Sequence, residues 1–154
     1  MTEKSRRIIR KIIKYLLIAT AIFTANVTVP RLISDPKLGA EDRYSSASAK
    51  YTRSSEDIDR FYALGNLAKK SFHTGRFDEA RKHADELESL TPKFRDNWNY
   101  GNAIQDTNIV HGLLALREGD RAAAKKHLTA AGDSPGSPQM NSFGPNMCLA
   151  KAML

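Results

Sequence analysis

Residues Gly75–Leu87 read GRFDEARKHADEL, and residues Gly119–Ala131 read GDRAAAKKHLTAA. Each stretch holds a glycine, an alanine five positions on (Ala80, Ala124), two basic residues, a histidine (His83, His127) and then an apolar residue. A phrase written twice points to one supersecondary unit used twice. Glycine closes a helix in the left-handed conformation, so each stretch is expected to be a turn that opens a second helix.

On the N-terminal side of the first glycine, Ile58, Phe61, Leu64, Leu67, Ala68 and Phe72 recur at helical spacing and predict a helix ending near Gly75. Ser54 or Ser55 is its expected N-cap, with Glu56 and Asp57 as an acidic first turn. A second helix is expected from Asp78 to Leu90, with Ala80, Ala84, Leu87 and Leu90 inside, stopped by Thr91-Pro92. Asp96 is read as the cap of a third helix marked by Trp98, Ile104, Ile109, Val110, Leu113, Leu114 and Leu116. A fourth runs from Arg121 to Ala131 and buries Ala124, Leu128 and Ala131. GDSPGSPQMNSFGP, residues 132–145, reads as an irregular loop, and Pro145 as the opening of a short last helix within NMCLAKAML. Met147, Ala150, Met153 and Leu154 are expected to pack back on Leu128 and Ala131, or to form a homodimer through this C-terminal helix. The expected class is all-α: tandem helical hairpins, about two units plus the short C-terminal helix, after an N-terminal hydrophobic helix.

Helix, glycine turn, helix, proline, and then the same again resembles the tetratricopeptide repeat, a helical hairpin of about 34 residues. In the first unit the family's positions fall on Leu64, Leu67, Ala68, Gly75, Phe77, Ala80, Leu87 and Pro92; in the second, on Gly112, Ala115, Gly119, Ala124, Leu128 and Ala131. Ser71, Ala84 and Asn108 depart from the family's usual residues, and Gly75 and Gly119 stand 44 positions apart, so the third helix is expected to be overlong. The resemblance implies recognition of another protein or peptide along a groove lined by the first helices of successive units. Carried over, the groove positions are Tyr62, Asn66, Lys69 and His73, then Asp106, Ile109, Leu113 and Leu116, of which the apolar ones read equally well as core. DNWNYGNAIQDTN, residues 96–108, adds Trp98, Asn99 and Asn102, whose ring and amides suit a bound polypeptide backbone or, alternatively, pad a solvated helix.

The N-terminal 30 residues differ from the rest. MTEKSRRIIRKIIK is basic, and Tyr15–Val29 is uncharged up to Pro30, the layout of a membrane anchor or a signal segment. Because small residues are poorly placed for a cleavage site, an uncleaved single-pass anchor through residues 12–29 is expected, with a cleaved signal as the alternative. The basic flank predicts a cytoplasmic N-terminus and an exported C-terminal domain. Residues 31–55, rich in Ser, Ala and charge, read as a flexible linker before a helical domain at 56–154.

Of the 154 residues, 24 are Lys or Arg and 17 Asp or Glu, a net charge of +7. Six of those basic residues and only one acid, Glu3, lie in the first 30 positions, so the remainder is nearly balanced and no nucleic-acid surface is expected. The single cysteine, Cys148, excludes an intrachain disulfide. No phosphate loop or catalytic motif occurs, and neither a metal nor a cofactor is expected; Glu79 and His83 read as an ordinary pair on a solvated face. The expected function is therefore a membrane-tethered interaction module or assembly scaffold, not an enzyme. Two alternatives stand beside it: a small-molecule site, catalytic or accessory, in the loop at residues 141–147, and a purely structural homo-oligomeric subunit.

Overall fold

The computed structural model of the chain describes residues 36–154. Over these residues the protein is all-α, with no strand: α1 (Pro36–Thr52), α2 (Asp57–His73), α3 (Phe77–Leu90), a 3-10 turn (Thr91–Phe94), α4 (Tyr100–Arg117), α5 (Arg121–Gly132), α6 (Pro138–Phe143) and α7 (Cys148–Met153). The chain divides into two units, Met1–Gly39 and Ala40–Leu154, and the packed helices belong to the second. The anchor at residues 12–29 lies outside the described residues. Among those described, no helix is long and apolar enough to cross a membrane.

The two repeated glycines do the same work. Gly75 has φ 79° and Gly119 φ 84°, a left-handed conformation that costs a side-chain-bearing residue strain. At the first, Arg76 N–H donates to Ser71 O at 2.9 Å and Gly75 N–H to Phe72 O at 3.0 Å; at the second, Asp120 N–H donates to Ala115 O at 2.9 Å and Gly119 N–H to Leu116 O at 3.1 Å. Both pairs satisfy the last carbonyls of the preceding helix and turn the chain back within three residues. The next helices are therefore launched in the same way, α3 from Arg76 and α5 from Asp120, whose carboxylate also caps Ala123 N–H at 2.8 Å.

Helix α2 packs on α3, α4 on α5, and α4 also lies against both α2 and α3. Three apolar clusters follow α4: Phe61, Leu64, Leu87, Leu90 and Ala103; then Ala68, Ala80, Ala84, Val110 and Leu114; then Ile109, Leu113, Ala131 and Leu149. Ala80, Ala84 and Ala124 are wholly buried, since a small side chain lets two helix backbones approach where a branched one would hold them apart. Polar ties repeat the same step along the chain. α1 is joined to α3 by Tyr51 to Glu86 and by Glu41 to Arg76 at its start, α2 to α4 by Lys69 to Asp106, and α4 to α6 by Asn102 to Gln139, with 35 to 37 residues between partners.

Several expectations are corrected here. Much of the stretch read as a linker, residues 31–55, is helix α1: its apolar period is thin, but Tyr44, Ala47 and Tyr51 lie on one side, and both tyrosine hydroxyls donate to carboxylates of α3. Neither Ser54 nor Ser55 caps α2; Glu56 holds that position without a side-chain bond. α4 begins at Tyr100 rather than after Asp96, and at 18 residues it is one longer than α2, so much of the extra length between the glycines lies in the connection at 91–99. The loop at 132–145 contains α6, with Ser137 accepting from Met140 N–H at 3.1 Å and Pro138 in the first turn. The last helix starts at Cys148, and its buried anchor is Leu149, while Met147 and Leu154 are exposed. His83 is buried rather than solvated: its Nδ1 lies 3.3 Å from Ser71 Oγ and its ring meets Tyr51 edge-on, while Glu79 accepts from Tyr44 instead.

Candidate binding site between α2 and α4

A cavity of about 510 Å³ opens between α2, α4 and the segment around α6. Six of the sequence-derived residues line it: Tyr62, Asn66 and Lys69 from α2, and Asn99, Asn102 and Asp106 from the start and body of α4. The other two do not. His73 sits exposed at the end of α2, with its ring edge against Phe72. Trp98 is half exposed in the turn before α4, where it stacks on Tyr62 with ring centroids 5.5 Å apart and 20° between planes. It thereby buttresses Tyr62, a wall residue, and Asn97 Nδ2 donates to Tyr62 Oη at 2.7 Å from the same turn. Of the apolar groove positions, Ile109 and Leu113 are core, and Leu116 is partly buried against the same cluster.

The floor is an ion pair, Lys69 Nζ to Asp106 Oδ1 at 2.5 Å, with the side chains 26 % and 15 % exposed. Burial raises the Asp106 carboxyl above the usual carboxylate range, and the adjacent Lys69 charge opposes that rise. Gly65 makes the placement possible: a Cβ there would stand 2.5 Å from Asp106 Oδ2, closer than any real contact of that kind. The pair is therefore seated against bare α2 backbone.

The rim is made of amides. Asn102 Nδ2 donates to Asn99 Oδ1 and to Gln139 Oε1, both at 2.9 Å, and its Oδ1 accepts from Ser137 Oγ at 2.5 Å. Gln105 Oε1 accepts from the backbone N–H of Asn146 at 3.1 Å. Thus α4 grips residues 137–146 of its own chain through amide side chains, and Phe143, Gly144, Pro145 and Asn146 complete the cavity wall. Gln105, Gln139 and Ser137 were not singled out from the sequence; the Ser137-Pro138 pair is a legible helix start, but its neighbouring glycines and prolines hide it.

A second concavity of about 520 Å³ adjoins the first through Asn66 and carries Arg43, Lys50 and Arg53 of α1 and the following turn with Lys70 of α2, against the single carboxylate Asp42. Burial lowers the Lys70 amine below its ordinary range, and the charges of Arg43 and Lys69 push the same way. Such a cluster of like charge favours an anionic neighbour. Cys148 is partly buried, and burial raises its thiol, which makes it a poor nucleophile. Among the described residues one group of side chains has metal-ligand spacing, Asp85, Glu88 and His111, away from this cavity's lining. Compared with models of protein families, with curated proteins and with solved structures, the chain matches none.

Proposed function

We propose that the chain is a membrane-tethered, tetratricopeptide-like interaction module whose α2–α4 face takes an extended, acidic segment of another protein. The observation that carries this reading is that the face already holds a polypeptide. Residues 137–146 lie on it through Asn102 and Gln105, one contact of which is to a backbone N–H. A sequence-tolerant binder needs amides that pair with main chain, because every peptide carries those groups. The open part of the same face, from Asn66 to Arg43 and Lys70, supplies the positive charge. Support for the repeat comes from the matching glycine turns and from ties whose partners stand 35 to 37 positions apart, which would make α1 the second helix of a preceding unit. Residues 12–29 supply the tether, and an unprocessed N-terminus in intact-mass analysis is the result expected for it.

Peptide-display selection against the full chain tests the reading. Enriched sequences should be rich in Asp and Glu, and binding should weaken in Asn66→Ala and in Lys70→Ala. Failure to enrich any peptide would overturn it. One observation favours a small-molecule site instead, namely that Phe143 to Asn146 line a cavity within the size range of ligand pockets, roughly 300–1,000 Å³. That alternative predicts fragment-induced shifts at Gln105 and Asn146 with no peptide selected.

A further inference from the structure

His111 presents an unusual nitrogen. Its side chain is 12 % exposed, and Nε2 is buried without a hydrogen-bond partner. A buried polar atom left unpaired is costly, so such an atom calls for an occupant. Two carboxylate oxygens stand beside it, Asp85 Oδ1 at 3.4 Å and Glu88 Oε2 at 3.7 Å, yet neither hydrogen-bonds to it. The three ligand atoms all lie within 4.8 Å of one another.

The two distances to Nε2, 3.4 and 3.7 Å, are close to those of atoms sharing an ion. Two ligands held tetrahedrally at about 2.0–2.1 Å from a cation stand roughly 3.4 Å apart, each off the other's hydrogen-bonding axis. Asp85 and Glu88 are three residues apart and so face the same way from α3, while His111 reaches them from α4. Neither carboxylate is paired with a lysine or arginine among the described residues, which leaves two carboxylates around one imidazole nitrogen. A second imidazole adjoins them. His127 of α5 has its ring centroid 5.4 Å from that of His111, with Nδ1 3.0 Å from Asn108 Oδ1, and the Glu88 charge acts on it. One nitrogen and two oxygens suit a zinc-type divalent cation better than magnesium or calcium, which prefer oxygen alone.

We propose that Asp85, Glu88 and His111 bind a zinc-type divalent cation that clips α3 to α4, and hence one helical hairpin to the next. A cation bound only by the folded chain raises its stability by mass action. The test is calorimetric titration of the full chain with Zn2+ after chelator treatment, with melting followed in parallel. One Zn2+ per chain and a higher Tm are expected, with no rise for Mg2+ at the same concentration. The Asp85→Asn/Glu88→Gln double variant changes only exposed side chains and should still fold, and its Zn2+ affinity should fall by more than about tenfold. Absence of saturable Zn2+ binding, or binding of unchanged strength in the double variant, would overturn the proposal.

Discussion

Gly101→Ala separates tertiary constraint from helix propensity. In an exposed helix interior the change from glycine to alanine stabilises by about 1 kcal/mol, because alanine loses less backbone entropy. At Gly101, however, a Cβ would stand 1.8 Å from the carbonyl oxygen of Gly136, which is backbone and has no rotamer to yield. Reaching even 3.0 Å requires residues 134–137 to retreat by more than about 1 Å. That retreat strains three bonds: Ser134 Oγ to Gly101 O at 2.8 Å, Ser137 Oγ to Asn102 Oδ1 at 2.5 Å and Asn102 Nδ2 to Gln139 Oε1 at 2.9 Å. At about 1 kcal/mol each their loss outweighs the propensity gain, for a net cost of about 2 kcal/mol. The corresponding fall in Tm is on the order of 5–10 °C. Thermal melts, with hydrogen exchange read over residues 134–146, are the assay. Gly132→Ala is the control: its added carbon meets nothing from the rest of the fold within 4 Å, so this variant should melt no lower than the parent. A Gly101→Ala protein as stable as the parent or more so would show that the close approach of Gly136 carries no such cost, as would unchanged protection of the segment.

Further outcomes follow from burial. Ala80→Ile places a branched side chain among Ala68, Ala84, Val110 and Leu114 and should cost about 1–3 kcal/mol, seen as a lower denaturant midpoint. Leu149→Ala removes the buried anchor of α7 and should cost about 2–5 kcal/mol, whereas Met147→Ala, half exposed, should change the same midpoint little. Because burial raises the Asp106 carboxyl in the folded state, that state keeps its proton at a pH where the unfolded chain has lost it. The stability it contributes therefore declines as pH rises through the folded value and returns as pH falls toward the unfolded one, near about 4. Relative to Asp106→Asn, the parent should gain stability between pH 7 and pH 4, and parallel profiles would contradict the stated environment.

The helices on either side of each glycine turn were legible because their signals are local. Gly75 and Gly119 announce turns that glycine alone makes cheaply, and Ala80 and Ala124 mark close helix crossings at the same distance from each turn. Helix α1 was not legible for the opposite reason. Its attachment rests on Tyr44, Tyr51 and Glu41 meeting Glu79, Glu86 and Arg76 about 35 residues away, and no periodicity within α1 reports that. Trp98 misled in another way: read as a marker of the third helix, it lies in the turn before α4, where it stacks on Tyr62. On the cavity side, four lining positions, Tyr62, Asn66, Lys69 and Asp106, came from the resemblance to the repeat and two, Asn99 and Asn102, from the asparagine-rich stretch, but the wall from 137–146 depends on where the chain returns. The Asp85, Glu88 and His111 group depends on two helices meeting and has no sequence signature.

Whether the α2–α4 face engages another polypeptide is decided by site-specific photocrosslinking in the full chain within its own cells. A photoreactive residue at Asn66, exposed on that face, should capture a discrete protein, and one at Lys126, exposed on α5, should not. No adduct from Asn66, or the same adducts from both positions, would mean that this face is not a docking surface.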